Sequence, residues 1–147
     1  MTDMRRILER KGHQFYSVPA QATVGDAVRE LATHHIGAVL VMDEGKLHGV
    51  FSERDAVRVA AQLGRFPADL TVGEVMTRDV CWVTPDTTVD ECMALMTKRR
   101  FRHVPVMVDT KVVGIVSIGD IVLEALTQRE TTIRGLETYI VGGDYLP

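Results

Sequence analysis

Hydrophobic positions along the chain alternate between helical spacing and short unbroken runs. Residues 23–34 carry apolar side chains at the spacing of one helix face, which predicts an amphipathic helix. The apolar run at 38–42 predicts a buried strand, and a short turn separates it from a second predicted strand at 46–51. A further helix is expected to begin at Ser52 and to run toward Leu63.

The same order of elements recurs in the second part of the chain. The elements predicted there are a helix over 88–98, strands over 104–108 and 111–116, and a helix from Ser117 toward Gln128. One more strand is expected ahead of the first helix of each half, at Phe15–Val18 and at Val80–Val83. Each half is therefore predicted to be a β-α-β-β-α unit.

Direct comparison of the two halves indicates an internal duplication. When the chain is shifted by 65 positions against itself, the alignment needs no gap from Val18/Val83 to Val57/Val122. Identical pairs on this diagonal include Thr23/Thr88, Val24/Val89, Val41/Val106, Met42/Met107, Lys46/Lys111, Gly49/Gly114, Ser52/Ser117, Asp55/Asp120 and Val57/Val122. A single coincidence would carry little weight, but a series on one ungapped diagonal predicts a repeat.

Segments outside the repeat complete the predicted organisation. Helices are expected at Met4–Lys11 and Thr131–Val141 and a helical turn at Thr71–Met76, while Pro67 interrupts the connecting segment. The predicted division is 1–14 for an N-terminal helical segment, 15–64 for the first unit, 65–76 for a linker and helical turn, 77–128 for the second unit, and 129–147 for a C-terminal helix and tail. Units of about 50 to 60 residues are too small to be secure alone. We therefore expect them to pack together as one α/β (α+β) domain with pseudo-two-fold symmetry.

Composition and charge narrow the function classes. The 147 residues are 46% hydrophobic and 25% charged with a formal net charge of −3, which argues against a broad surface for DNA or RNA. Lys98–Arg102 is the one dense basic cluster.

No apolar run approaches the roughly 20 residues that span a bilayer, and the charged N-terminus lacks a signal-peptide core, so a cytoplasmic location is expected. Cys81 and Cys92 fit neither a zinc site nor a disulfide framework and are predicted to be buried thiols.

The most informative motif lies at the second strand-to-helix junction of each unit. Residues 49–55, Gly-Val-Phe-Ser-Glu-Arg-Asp, align with residues 114–120, Gly-Ile-Val-Ser-Ile-Gly-Asp. Ser-x-x-Asp is a helix capping box, and a cap needs no ligand. The same geometry suits a nucleoside phosphate, because a helix N-terminus favours an anion and an ionised Asp accepts hydrogen bonds from two ribose hydroxyls. The residues alone leave both interpretations open.

The repeat resembles a pair of CBS domains, the module named after cystathionine β-synthase, and specifically the small stand-alone proteins built from two of them. The resemblance covers residues ~15 to ~128. The matching segments are 23–28, 36–41 and 49–55 in the first unit and 83–89, 102–106 and 114–120 in the second. It implies a flat module with two clefts, which in this family commonly hold AMP, ADP, ATP, NAD-type molecules or S-adenosylmethionine. No other cofactor, no metal and no catalytic residue is expected.

The resemblance also implies roles for individual residues. The motif aspartates would bind the ribose and the motif serines the phosphate, that is, Asp55 and Asp120 with Ser52 and Ser117. Residues expected to face the Asp120 cleft are Tyr16, Ser17, Ile36, Gly37 and Ala38. Residues expected near the Asp55 cleft or between the clefts are Cys81, Trp82, Phe101 and Arg102. His103 is expected beside the Asp120 cleft, and burial in the core or a dimer interface is preferred for Trp82 over stacking on a base.

Two arginines distinguish the copies. Arg54 aligns with Gly119, and Arg102 aligns with Gly37. Our hypothesis is that each supplies a charge-assisted contact to a phosphate, Arg54 in the Asp55 cleft and Arg102 in the Asp120 cleft. The alternative is that both are solvated surface charges.

These features favour a regulatory module over an enzyme. Neither motif serine has a predicted base, and neither a Walker loop nor a GxGxxG fingerprint is present. We expect an adenine-nucleotide sensor that modulates a partner protein, with a structural adaptor whose clefts are vestigial, or an S-adenosylmethionine binder, as the alternatives. A homodimer is expected through helices at Ala56–Leu63 and Ile121–Leu126. Nucleic-acid binding remains an alternative function only for the basic cluster at Lys98–Arg102.

Overall fold

The helices and strands of the computed structural model follow the predicted order in both halves. Residues 2–134 are described, with side-chain surroundings up to residue 128. The elements are α1 (Met4–Lys11), β1 (Ser17–Val18), α2 (Val24–His34), β2 (Ala38–Asp43), β3 (Lys46–Ser52), α3 (Glu53–Leu63), α4 (Val72–Val75), α5 (Val89–Arg99), β4 (His103–Val108), β5 (Lys111–Ser117) and α6 (Ile118–Arg134). The predicted fold class, a mixed α/β chain of tandem units, is confirmed.

Helix starts are fixed by side-chain caps at the predicted residues. Thr23 Oγ1 accepts a hydrogen bond from the Asp26 amide at 3.1 Å and so begins α2. Thr88 does the same for the Glu91 amide at 3.1 Å, and the Glu91 carboxylate accepts from the Thr88 amide at 3.1 Å. These bonds satisfy amides that have no partner inside the helix, so the chain starts a helix there rather than one residue earlier or later.

The duplication extends to backbone details. In the antiparallel pair β2–β3 the register shifts after Val41, and in β4–β5 it shifts after the equivalent Val106. Left-handed residues also come in pairs separated by 65 positions, namely His35 with Arg100 and Glu44 with Asp109. Positive φ is uncommon outside glycine, so its recurrence at equivalent residues shows that both copies use the same turns.

Three predicted elements differ from the structure. The strand expected at Phe15–Val18 is shorter, because only Ser17 and Val18 pair with β2, in parallel. The strand expected at Val80–Val83 is absent apart from a bridge between Val83 and Val106, since the Val80 amide bonds the Arg78 carbonyl and turns the chain. A separate helix was expected over 131–141, but residues 131–134 are the last residues of α6, which continues through them without a break. Residues 135–141 lie outside the described part.

Each half has its own core, and each core is closed by a helix from outside the repeat. Helix α4, which follows the first half, contributes buried residues to the first core through Val72 and Val75. Helix α1, which precedes the first half, belongs instead to the second core through Met4, Ile7 and Leu8. The N-terminal helix is therefore joined in sequence to one half and packed against the other.

Candidate functional site

A cavity of about 600 Å³ lies beside the N-terminus of α3. Its walls come from the β3–α3 junction, from loop 77–81 after α4, and from loop 100–103 before β4. The predicted site residues that line it are Gly37, Ser52, Arg54, Asp55, Cys81, Phe101, Arg102 and His103. Both halves contribute walls, so the cleft depends on how they pack together.

Asp55 is buried at the floor of this cavity and is fully hydrogen-bonded. Its Oδ2 accepts from the Ser52 amide at 2.9 Å and from Ser52 Oγ at 3.1 Å. Its Oδ1 accepts from Arg58 Nη2 at 3.1 Å and from Thr77 Oγ1 at 3.0 Å. The capping-box interpretation of the motif is thus realised in the geometry. A ribose would have to exchange with one of these donors.

First-turn amides of α3 are also largely occupied. The Glu53 amide donates to the Gly37 carbonyl at 3.0 Å, and the Asp55 amide donates to Ser52 Oγ at 3.3 Å. The equivalent Ile118 amide of α6 donates to the Arg102 carbonyl at 2.7 Å. An anion at either helix start therefore depends more on side chains than on free amides.

Positive charge in the cavity comes from arginines. The lining includes Arg54, Arg58, Arg100 and Arg102, against the acidic side chains Glu53 and Asp55. Arg54 Nη1 donates to the Arg100 carbonyl at 3.2 Å. Guanidinium groups bind phosphate oxygens through planar, charge-assisted pairs of hydrogen bonds. The cavity therefore favours an anionic ligand.

Gly37 and His103 lie against each other at the inner wall. A Cβ atom on Gly37 would be 2.9 Å from Glu53 Oε1 and 3.0 Å from His103 Cε1, so a side chain there would displace both. Burial lowers the pKa of His103; Lys11 and Arg102 lower it further, against the opposing effects of Glu53 and Asp120. His103 is thus close to both motif helices and neutral at physiological pH.

Three residues expected at or beside the Asp120 cleft line the cavity at Asp55, and their role at Asp120 stays a prediction. They are Gly37, His103 and Arg102, of which Arg102 was also expected near the Asp55 cleft or between the clefts. The physical reason is symmetry: positions 37 and 102 are repeat equivalents, so they meet near the pseudo-two-fold axis and reach the same space. Arg54 lines the Asp55 cavity as expected, and both arginines are therefore in one cleft.

The second motif has a different environment. The Asp120 Oδ2 accepts from the Ser117 amide at 2.8 Å and from Lys11 Nζ at 2.6 Å, and Ser117 Oγ accepts from the Asp120 amide at 3.2 Å. Within the described part of the chain no hydrogen bond reaches Asp120 Oδ1. Burial alone would raise the pKa of Asp120, but the hydrogen bonds from Lys11 and Ser117 hold it below its ordinary value. A Cβ on Gly119 would be 3.5 Å from Ser117 Oγ, which is an ordinary contact. The start of α6 therefore has open space at Gly119, whereas α3 carries the Arg54 side chain at the equivalent position.

The other residues expected at the Asp120 cleft make their described contacts within the first half. The Tyr16 ring stacks on His34 with centroids 3.7 Å apart. Ile36 packs against the first core, Ala38 is buried at the start of β2, and Ser17 is exposed on β1. Their role at Asp120 stays a prediction.

Trp82 and the cysteines have distinct surroundings. Trp82 is 53% exposed and lies outside the cavity lining, so it is not buried in the core of this chain, and its burial in a dimer interface stays a prediction. Cys81 and Cys92 are buried free thiols, as predicted. Burial raises the pKa of Cys81 and raises that of Cys92 to about 11, and both thiols therefore stay protonated.

Several lining residues were not predicted. Arg58 lies three residues after Asp55, a spacing that places it on the same helix face and could have identified it. Thr77 and Arg100 lie far from the motif in sequence, and Lys11 is 109 residues from Asp120. No local pattern marks Thr77 or Lys11, because only the packing of α4 and α1 brings them to the motifs, whereas Arg100 belongs to the basic cluster Lys98–Arg102.

The fold and the duplicated motif together define a tandem module with a ligand cleft. Residues 5–62 and 72–126 match the CBS domain family, and the chain belongs to that family. The mitochondrial CBS domain-containing protein CBSX3 of Arabidopsis thaliana is 39% identical over 126 residues, which cover 82% of this chain and 61% of that protein. The chain thus spans less than two thirds of the length of this relative.

Solved structures show the same architecture. A CBS-domain containing protein from Agrobacterium tumefaciens is 38% identical with a TM-score of 0.82, over 84% of this chain and 99% of that one. The CBS domain pair of protein MJ0100, solved in complex with 5′-methylthioadenosine and S-adenosyl-L-methionine, is 29% identical with a TM-score of 0.77, over 87% and 98% of the two chains. Both neighbours are named for their CBS domains, and the second was solved with adenosyl ligands bound.

Two further findings concern what the described residues can hold. No helix within residues 2–134 is both long enough and apolar enough to cross a membrane. In the same part of the chain, no three His, Cys, Asp or Glu side chains are grouped as metal ligands.

Proposed function

We propose that this chain is a non-enzymatic regulatory module that binds a phosphorylated adenine nucleotide, such as AMP, ADP, ATP or an NAD-type molecule, and modulates a partner protein. The observation that carries this proposal is the cavity at Asp55, in which a carboxylate suited to ribose hydroxyls lies among four arginines suited to phosphate. A volume of about 600 Å³ is in the range of small-molecule and cofactor sites.

The charge of the cavity separates this proposal from an S-adenosylmethionine site. Four arginines and two acidic residues line it, a formal balance of 4 − 2 = +2 with His103 neutral. A sulfonium cation would be repelled by this balance, whereas a phosphate would be attracted. We therefore place the phosphorylated ligands ahead of the adenosyl sulfonium ligand.

Identification of the ligand needs two measurements. Mass spectrometry of small molecules released from the purified protein would identify a retained ligand, and calorimetry would compare AMP, ATP, NADH and S-adenosylmethionine. We expect the phosphorylated compounds to bind at least tenfold more tightly than S-adenosylmethionine, because each charge-assisted hydrogen bond is worth about 1.5–3 kcal/mol. Stronger binding of S-adenosylmethionine would contradict the proposal.

The role of the two aspartates is tested by the double substitution Asp55→Asn with Asp120→Asn. The amide keeps the shape of the carboxyl group, so the variant retains more of the capping geometry than alanine would. We expect the folded double variant to lose adenylate binding. Asp90→Asn, at an exposed aspartate, is the control and should bind as the unmodified chain does. Unchanged binding in the double variant would show that the carboxylates do not bind the ribose hydroxyls.

A structural adaptor is the second candidate function, and one observation favours it. Both oxygens of Asp55 already have protein donors, so the motif is stable without a ligand. An adaptor would show no binding of any adenine compound, while its dimer would persist.

The helices expected at a dimer interface expose apolar side chains. Val57 of α3 is 69% exposed, and on α6 Val122, Leu123 and Leu126 are 48%, 55% and 53% exposed. Exposed apolar helix faces are typical of an interface, and we propose a homodimer through these two helices. Sedimentation of Val57→Glu with Leu123→Glu should give a monomer, whereas Ala94→Glu on exposed α5 should not change the state.

A further inference from the structure

Among the described residues each motif carboxylate has one cationic partner, and the two partners come from different places in the fold. Arg58 lies on the same helix as Asp55, and its side chain is 50% exposed. The repeat equivalent of Arg58 is Leu123, which cannot form an ion pair. Asp120 is instead paired with Lys11 of α1 at 2.6 Å, and the side chains of Lys11 and Asp120 are 28% and 21% exposed. The second ion pair is therefore shorter and its cation is better shielded from water, although the Asp55 side chain, at 9% exposed, is less exposed than that of Asp120.

Lys11 takes the position that Thr77 has in the first half. The Thr77 amide donates to the Val50 carbonyl at 2.9 Å, and its hydroxyl donates to Asp55. Lys11 Nζ donates to the carbonyl of Ile115, the repeat equivalent of Val50, at 2.8 Å and also to Asp120. One ammonium group thus replaces an amide and a hydroxyl.

The helix that carries Lys11 is firmly held. Met4, Ile7 and Leu8 are at most 1% exposed in the second core, and Arg10 pairs with the buried Glu124 of α6. The Lys11 side chain is a flexible four-carbon stem, so its ammonium can move while α1 stays docked. A ligand that takes Asp120 Oδ2 from the ammonium therefore needs to displace one side chain only, while Oδ1 accepts no hydrogen bond from the described residues.

Displacement of the ammonium has different consequences for different ligands. A ribose hydroxyl that replaces Lys11 at Asp120 exchanges a charge-assisted hydrogen bond for a weaker neutral one. A phosphate on the same ligand offers the released ammonium a new anion within reach of the start of α6. A neutral nucleoside offers none, and a sulfonium adds a like charge.

We propose that Lys11 is a specificity-determining residue of the Asp120 cleft, which makes this cleft select phosphorylated adenosine ligands over neutral or cationic adenosyl ligands. This inference rests on the proposed function of the module, including the second cleft that the repeat predicts at Asp120. It concerns the second cleft only, because the first cleft derives its positive charge from arginines.

The test compares AMP with adenosine, which differ only in the phosphate. Calorimetry is performed on the full chain carrying Asp55→Asn, which silences the first cleft, with and without Lys11→Met. We expect Lys11→Met to bind adenosine about fivefold more tightly and AMP about fivefold more weakly, so that the AMP-to-adenosine preference falls about 25-fold. Lys111→Met, at an exposed lysine of β5, is the matched control and should leave the preference unchanged.

Other outcomes overturn the inference in distinguishable ways. Equal changes for adenosine and AMP would mean that Lys11 has no role in selection, while the proposed function would stand. Absence of binding by every variant and by the unmodified chain would overturn both. If Asp55→Asn impairs folding, a crystal structure of the unmodified chain with AMP decides: Lys11 Nζ on the phosphate supports the inference, and Lys11 still on Asp120 beside bound AMP refutes it.

Discussion

The two halves share a backbone but close their cores with different chemistry. In the first half, Val59 of α3 and Val75 of α4 belong to one buried apolar cluster. The equivalent positions in the second half are Glu124 and Arg10, which form an ion pair with Glu124 only 1% exposed. Caps and turns were retained after duplication, whereas contacts with the closing helix diverged. The comparison teaches that the contacts between each repeated unit and its closing helix are one source of the inequivalence of the halves, beside the differences within the units themselves.

The largest effect is expected from breaking the buried ion pair. Arg10→Val leaves Glu124 buried without a cation, which should lower the free energy of unfolding by about 2–3 kcal/mol; the value is below that of a fully buried pair because the Arg10 side chain is 38% exposed. Urea denaturation followed by circular dichroism measures the loss.

The first half supplies the matched rescue for this substitution. Arg10→Val with Glu124→Val recreates the Val75 and Val59 combination, so the double variant should regain at least the stability of the unmodified chain. The explanation would be contradicted if Arg10→Val lowered the free energy of unfolding by less than about 0.5 kcal/mol. It would also be contradicted if the double variant were less stable than Arg10→Val alone.

A smaller effect is expected from adding a methyl group at equivalent glycines. A Cβ on Gly49 would lie 2.7 Å from the Thr77 carbonyl oxygen, a backbone atom that pairs with β3, whereas a Cβ on Gly114 would lie 2.7 Å from Leu8 Cδ2, the end of a side chain. Gly49→Ala should therefore cost about 2 kcal/mol and Gly114→Ala about 1 kcal/mol, measured by thermal and urea unfolding. Equal losses of stability in the two variants would mean that the Leu8 side chain is held as rigidly as the backbone at Thr77.

The smallest effect concerns pH. His103 is equivalent to Ala38 of the first half, and its pKa is lowered in the folded chain. The unfolded chain therefore binds more protons below about pH 6.5, so stability is present above that value and is lost as pH falls toward the folded pKa.

His103→Gln should flatten this dependence between pH 7 and 5, measured as the free energy of unfolding at several pH values. His48→Gln, at an exposed histidine of β3, should keep the slope of the unmodified chain. An unchanged slope in His103→Gln would assign the pH dependence to other groups.

Much of the fold was predictable because its signals are local. Thr23, Ser52 and Thr88 mark helix starts through caps that involve residues three positions away, and the ungapped repeat transfers each element from one half to the other. The motif aspartates were found for the same reason.

The partners of the motifs were not predictable from local patterns. The contact of Lys11 with Asp120 depends on α1 crossing to the second half, and that of Thr77 with Asp55 depends on α4 folding back on the first. That Gly37 and Arg102 both line the cavity at Asp55 was not evident either, because sequence spacing does not show which side of a symmetry axis a loop faces.

The crossed docking of α1 has a consequence for anything attached ahead of Met4. Such an attachment would be adjacent in sequence to the first half, yet it would lie beside the second, because Asp3 bridges Thr88 and the Met4 amide donates to the Thr87 carbonyl at 2.9 Å. A fused domain would therefore neighbour the start of α5 rather than the unit that follows it in the chain.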